Sequence, residues 1–462
     1  MRAVLNERGS KGDVAGAVVG ISVEEQELVL AHGSANLNTR QPFTEDTGFL
    51  LGSVTKVLVT TVLLRLVERG LVDLEAPARR YVPEFTLRDP AAAERITVRM
   101  LVNHTNGIDS DSLCPWSVRG RDASRSYTEY LPKLGVLFDP GACVHYSNPG
   151  FVLASRIIEE VTGLPFERAM QSELFDPARM RDATALQTQA FLRRTAVGAY
   201  PDPETKGLRA TPVFTLGEGL AGGGTTLIVS PQDMLAFGRM HLKGGVAANG
   251  SRVLDEALVK DMRTTNFDLG IPQAPPVGLG WWKFPIAGTT AFHHAGGSPG
   301  GVSSFCIIPE YEVAIISFAT GPGSVALNDA LHIAAIEELT GRSALLPLKT
   351  EPQPVSQQLA GEYRSFQVRA TVEVKQDELV LTRSFEPYDQ AHRDFFSTMW
   401  SPTRFPPVTY RSLAPGQWVR AGLEPRGYCG FMERTSLLAT LPATARRGAG
   451  LHMGLRYLPK VS

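Results

Sequence analysis

The sequence predicts an α+β fold: an antiparallel sheet built from both ends of residues 1–345, a helical insertion over about 71–285 carried on it, and a small all-β domain after that. Three observations predict it. β-branched runs occur at 14–32 and return at 292–320, with helical patterning between them. The stretch SVTKVLVTTVLLRLVERG, from Ser53 to Gly70, is apolar at nearly every position except Thr55, Lys56, Thr60, Thr61, Arg65 and Glu68, the pattern of a helix buried on most of its surface. Beyond Gly341 the Pro-punctuated segment LLPLKTEPQPVSQ supplies a linker at 346–356, and residues 357–462 then alternate as in a β-barrel or sandwich.

Taken in order, VAGAVVGISV and ELVLAHG flank Glu24-Glu25-Gln26 and read as a hairpin. A polar loop with Pro42 leads through Thr47–Gly52 to Ser53. The buried helix opens at Ser53 and reaches Arg69. Arg65 and Arg69 lie in its last turn, where the dipole favours cations, and Gly70 lies just past its end. ITVRMLVNHTNGI (96–108) reads as a short helix and a loop, and 109–145 as irregular chain ending at Tyr146-Ser147-Asn148-Pro149-Gly150. Residues 150–163 form a helix closed by Gly163. More helices follow to 245, broken by Ala221-Gly222-Gly223-Gly224. One of them, at 230–244, opens with Ser230 as cap and Pro231 in its first turn. FHHAGG, VSSFCIIP and EVAIISFAT are strands, and 325–341 is a helix. RATVEVK and ELVLTR pair around Gln376-Asp377, with further strands near 407–420 and 451–458.

Composition narrows the function. A net charge of −1 over 462 residues leaves no footprint for nucleic acid or an anionic membrane. The run from Ser53 is too short and too charged to span a bilayer, and no run of 18 apolar residues occurs elsewhere. Cys114, Cys143, Cys306 and Cys429 are far apart, without metal-ligand spacing, and read as free thiols. The first residues carry early charges and lack the apolar core of a signal peptide, so the expected location is cytoplasmic.

Ser53 and Lys56 are three residues apart, so on a helix they stand on one face, a turn apart. The dipole and burial would both push the Lys56 amine toward neutrality, and a neutral amine beside a hydroxyl can take its proton. Ser is also a common N-cap, and Ser-x-x-Lys arises by composition about once in a chain of this size. Further motifs give the pair its meaning: Tyr146-Ser147-Asn148 before a helix, and His294-Ala295-Gly296-Gly297 at a strand end.

With these in place the chain resembles the serine β-lactamase and penicillin-binding-protein family, in its class C β-lactamase, esterase and transacylase branch. FLLGSVTKVL, LVERGLVDLEAPARRYVPEF, FDPGACVHYSNPGF, LAGGGTTLIVSPQDMLAF, GLGWW and HHAGGSPGG follow the family's order, and the likeness covers about residues 12–340. The resemblance implies a β-lactamase/transpeptidase-like fold and an acyl-enzyme on Ser53. Lys56 and Tyr146 would be the base system, and Asn148 would hydrogen-bond Lys56 and substrate. The backbone N–H groups of Ser53 and Gly297 would form the oxyanion hole, with Gly296 allowing close approach.

His294-Ala295-Gly296 stands where many β-lactamases have Lys-Thr-Gly, so a fixed cation is replaced by a group mostly neutral at pH 7. That weakens penicillin as the substrate and suits esters, amides or D-amino acid peptides. The expected partners are a small-molecule acyl donor and an amine or alcohol acceptor, with no nucleic acid, membrane or cofactor. β-Lactamase, D-aminopeptidase or DD-peptidase activity, or a non-catalytic sensor, is the alternative. Trp116, Trp281 and Trp282 are candidate pocket walls, His293 reads as structural, and His104 and His145 as loop residues. The C-terminal domain carries no recognisable chemical motif.

Overall fold

The computed structural model describes residues 1–109, 123–214, 216–272, 274–286, 288–387, 389–390, 393, 397, 403–423, 426–427 and 436–461. Cys114, Trp116 and Cys429 lie outside them.

The chain begins with helix α1 (Arg2–Gly9), absent from the sequence reading, whose apolar content is slight; buried Leu5 anchors it. Strands β1 (Gly16–Val23) and β2 (Gln26–Asn36) form the expected hairpin. The central helix α2 spans Thr55–Glu68, and Ser53 sits before it in a 3-10 turn, Gly52–Val54. The helix therefore starts two residues later than its apolar run. Helix α3 (Asn148–Thr162) is capped by the Ser147 side chain, which accepts from the Gly150 N–H, and it closes on left-handed Gly163. Helix α4 (Pro231–Leu242) opens with a capping box between Ser230 and Asp233. Strands β3 (Trp282–Ile286), β4 (Thr289–Ser298), β5 (Gly301–Ile308) and β6 (Val313–Thr320) lead into helix α5 (Ser324–Thr340).

The sheet runs from a two-residue edge strand, Gln41–Pro42, through β2, β1, β6, β5 and β4 to β3. The two ends of the region meet where β1 pairs antiparallel with β6, from Gly16 opposite Thr320 to Val23 opposite Val313. Both strands are buried along nearly their whole length, so alternate residues feed two cores. Val18, Phe305, Ile316 and Phe318 face a core shared with α2, α3 and α4. Ala17, Val19, Ile21, Cys306 and Ile315 face a second core completed by α1 and α5. The α+β prediction with sheet material from both ends holds.

Eight antiparallel strands follow in sequence order: β7 (Gly361–Arg364), β8 (Val368–Lys375), β9 (Glu378–Phe385), β10 (Val408–Ala414), β11 (Gln417–Arg420), β12 (Leu437–Leu441), β13 (Gly450–Met453) and β14 (Arg456–Pro459). Tyr363 bridges Lys460, and the Val461 N–H donates to Glu362 O at 2.8 Å, so last strand meets first. Of the two expected forms, the structure has the barrel-like one.

The barrel is seated against the first region through its β13–β14 hairpin. Leu455 O accepts the Tyr146 N–H at 2.8 Å. The Tyr457 N–H donates to His145 Nδ1 at 3.1 Å, and His452 Nε2 donates to Val144 O at 3.1 Å. Among the described residues no helix is long and apolar enough to cross a membrane.

Candidate active site

The turn carrying Ser53 depends on a left-handed residue. Gly52 has φ +61°, and a Cβ there would lie 2.7 Å from Gly296 C and Gly297 O, so only glycine lets the turn press against the end of β4. A Cβ on Gly296 would lie 2.3 Å from Leu51 O and 2.7 Å from Ser53 N. Gly297 differs: a Cβ there meets nothing within 4 Å, because it borders open space. The oxyanion-hole candidates are thus brought together by close backbone contact.

Lys56, in the first turn of α2, is fully buried. Its Nζ lies 3.1 Å from half-buried Ser53 Oγ and donates to Gly223 O at 2.5 Å. Ser53 Oγ is 3.5 Å from the same carbonyl. Gly223 was legible only as part of a glycine run that breaks helices, since a carbonyl leaves no side-chain signature.

Tyr146 precedes the cap of α3 and is 8% exposed, with Lys56 Nζ 4.9 Å from its ring centroid. The structure therefore gathers Ser53 and Lys56, from one turn of chain, and Tyr146, from a distant stretch, at one point. Asn148, expected in a loop, is instead the first residue of α3, and it lines the same cavity as Ser53 and Tyr146. Ser147 holds it there: its Oγ caps the helix and donates to Asn106 Oδ1 at 3.1 Å.

His104 is a residue that sequence reasoning missed. It is fully buried, with φ +63°, and its ring stacks on Tyr146 at 4.8 Å and on Trp282 at 5.2 Å. Its Nδ1 accepts the Ser147 N–H at 3.0 Å, so in the neutral ring the proton is on Nε2. Burial, and after it the nearby Lys56 side chain, holds its pKa well below the usual imidazole value. His145, also read as a plain loop residue, accepts from the barrel and lines the cavity. Neither role has a sequence signal, because the partners are backbone amides 43 and 312 positions away.

His294 is buried on β4, its Nδ1 2.7 Å from Ala295 O, which makes Nδ1 the donor, so that in the neutral ring Nε2 is the acceptor nitrogen. His293 pairs with Ser304 Oγ at 2.9 Å, as a structural residue would, yet it too borders the cavity. Of the tryptophans, Trp282 lines the cavity, while Trp281 packs in the core against His241 and Phe305.

The cavity itself encloses about 400 Å³, and more than half of its lining residues come from the barrel, among them Arg383, Phe385, Met453, Arg456 and Tyr457. The Arg456 guanidinium carbon lies 5.0 Å from the Tyr146 ring centroid. The C-terminal domain, which carries no motif, therefore helps build the site. Among the described residues no three His, Cys, Asp or Glu side chains converge as a metal site.

This arrangement can activate a hydroxyl, place a carbonyl against backbone donors, and shield both from bulk water. Comparison with known proteins points the same way. A family model described as Beta-lactamase matches residues 1–338. The chain is 27% identical over 362 residues to penicillin-binding protein 4 of Amycolatopsis lactamdurans, covering 76% of this chain and 93% of that protein. It is 32% identical over 169 residues to esterase EstB of Burkholderia gladioli, covering 33% of this chain and 42% of EstB. Among solved structures, SurE superposes with a TM-score of 0.75 at 23% identity, over 99% of this chain and 98% of SurE, so the likeness in fold includes the C-terminal barrel.

Proposed function

Because the chain belongs to the β-lactamase family, and is thus an enzyme of that serine hydrolase family, we propose that it forms an acyl-enzyme on Ser53 from a small-molecule ester or amide and passes the acyl group to water or to an amine or alcohol. The observation that carries this reading is the 3.1 Å approach of fully buried Lys56 Nζ to Ser53 Oγ, with the Tyr146 ring 4.9 Å from the same nitrogen.

Ser53 Oγ attacks the carbonyl carbon while its proton passes to the Lys56–Tyr146 pair. Gly223 O holds the Lys56 nitrogen in line through that transfer. The carbonyl oxygen becomes an oxyanion against the N–H groups of Ser53 and Gly297, a pair of fixed donors worth about 3 kcal/mol each in the transition state. Collapse breaks the bond to the leaving alcohol or amine, which takes the proton back. Water or an acceptor amine or alcohol then repeats the sequence on the acyl-enzyme, losing its proton to the same pair. Asn148 and His294 border the acyl group's path. The barrel wall over the cavity supports transfer to an acceptor, since excluding water favours a bound nucleophile.

Intact-mass measurement after mixing with a simple aryl ester tests the reading. One acyl adduct per chain is expected, absent in Ser53→Ala. An adduct that persists in Ser53→Ala, or none under turnover, overturns it. Adding an amine and comparing adduct with free acid separates transacylase from esterase.

A further inference from the structure

The site's second wall belongs to the barrel, and it brings a guanidinium, that of Arg383, which no carboxylate of the described residues meets. Arg383 lies on β9, opposite Ala370 of β8, and its side chain borders the cavity that holds Ser53. Its guanidinium carbon stacks 4.5 Å from the Phe405 ring centroid and 6.0 Å from that of Phe385. Burial dominates and works against its charge; the ionisable groups that act on it are Tyr410, a phenol that burial keeps neutral, and a second cation, Arg456, and no carboxylate of the described residues is among them.

The other charged groups of the cavity are committed. Arg456 Nη1 donates to Gly454 O at 2.9 Å, and its guanidinium lies against the Tyr146 ring. Asp109 is the one carboxylate among the described lining residues, and both its oxygens accept the Phe366 N–H, at 3.1 and 2.9 Å. A desolvated guanidinium held flat by two aromatic rings keeps its N–H fork directed, and no carboxylate among the described residues meets it. Such a group costs stability unless an anion pairs with it. His294 adds no fixed cation on the β4 side.

We propose that Arg383 is a specificity-determining residue that binds a carboxylate of the substrate, so that the favoured acyl donors are esters or amides carrying a free carboxylate away from the scissile carbonyl. The planar fork matches a carboxylate with two parallel N–H···O bonds, and the apolar neighbours Phe385, Val368 and Met453 suit the methylenes between carboxylate and carbonyl. One such guanidinium, with Arg456 occupied at Tyr146, fits a monoanion. The proposal rests on the acyl-Ser53 reading and names the substrate class of that same site.

The test compares aryl esters of succinic, glutaric and adipic acid with their methyl-capped neutral counterparts, on wild type, Arg383→Gln and Arg383→Lys. At least one anionic ester is expected to exceed its neutral counterpart in kcat/KM by about 30-fold, mostly through KM, as a bidentate charged pair predicts. Arg383→Gln should bring that ratio near one, and Arg383→Lys should restore part of it, which a purely structural stacking role would not do. A ratio near one in wild type, or an unchanged ratio in Arg383→Gln while Ser53 adducts still form, overturns the anion site and leaves the acyl-Ser53 reading standing. If no ester of either kind yields a Ser53-dependent adduct, both fall together.

Discussion

At the scale of single residues, Lys56 Nζ is fully buried and 3.1 Å from Ser53 Oγ, which makes that position the most direct one to change. Lys56→Arg replaces an amine that can accept a proton by a guanidinium that does not, so kcat should fall about a thousandfold. Stopped-flow acylation by an aryl ester reads the step directly. The glycines at the end of β4 give a sharper contrast. Gly296→Ala would drive a methyl to 2.3 Å from Leu51 O and 2.7 Å from Ser53 N, whereas Gly297→Ala meets nothing within 4 Å. The first should therefore lose about 2–3 kcal/mol of stability as well as activity, as backbone overpacking does. The second should keep its Tm within about 2 °C and respond only in KM, since its methyl enters the cavity. Thermal melts and kinetics on both variants check the pair. The roles proposed for Ser53, Lys56, Tyr146 and the glycines were legible because that chemistry resides in residue type and order. Gly223 and Arg383 were not: one acts through its carbonyl, and the other belongs to a strand whose facing partners only the closed barrel supplies.

At the scale of elements, the position of Tyr146 is set by what lies beneath and behind it. The His104 ring supports Tyr146 and is itself backed by Trp282, while its Nδ1 holds the Ser147 N–H that starts α3. His104→Ala should cost about 2–4 kcal/mol, through the cavity it opens and the buried N–H it strands. It should also lower kcat more than it raises KM, because it loosens Tyr146, proposed to act with Lys56 as the base, and spares the rest of the cavity. His104→Asn, whose side chain tolerates φ +63° and carries an acceptor, should recover part of the stability and little of kcat. Urea titrations beside steady-state kinetics distinguish the two effects. The helices and strands here were legible from period and caps: Ser230 and Pro231 open α4 where the pattern says, and β1 and β6 announce themselves as β-branched runs. Boundaries were less so, since the apolar run at Ser53 continues across a 3-10 turn that only Gly52's contact with β4 enforces.

At the scale of the whole molecule, barrel and first region both carry imidazoles buried in their neutral form, and this predicts how the fold meets acid. Burial pushes His241 and His452 down to about 3 and His332 to about 4, and His104 shifts the same way. Each would titrate near 6.5 in the unfolded chain. Unfolding below pH 6.5 therefore takes up protons that the folded chain refuses, so stability is full above that pH and is lost as pH falls toward the folded values. A single such group removes about 2 kcal/mol by pH 5. Glu159 and Asp233, raised by burial, act in the opposite sense as pH falls and offset part of the loss. Tm should thus drop steeply between pH 7 and pH 5. His332 lies outside the cavity, with Nε2 3.1 Å from Ser317 Oγ and Nδ1 3.6 Å from Cys306 Sγ, so it isolates the effect. His332→Asn should shallow the slope of unfolding free energy against pH by up to one proton, whatever it costs at pH 7.5. Denaturant titrations at four pH values measure that slope, and one equal to wild type would mean that His332 is not the neutral group its surroundings require.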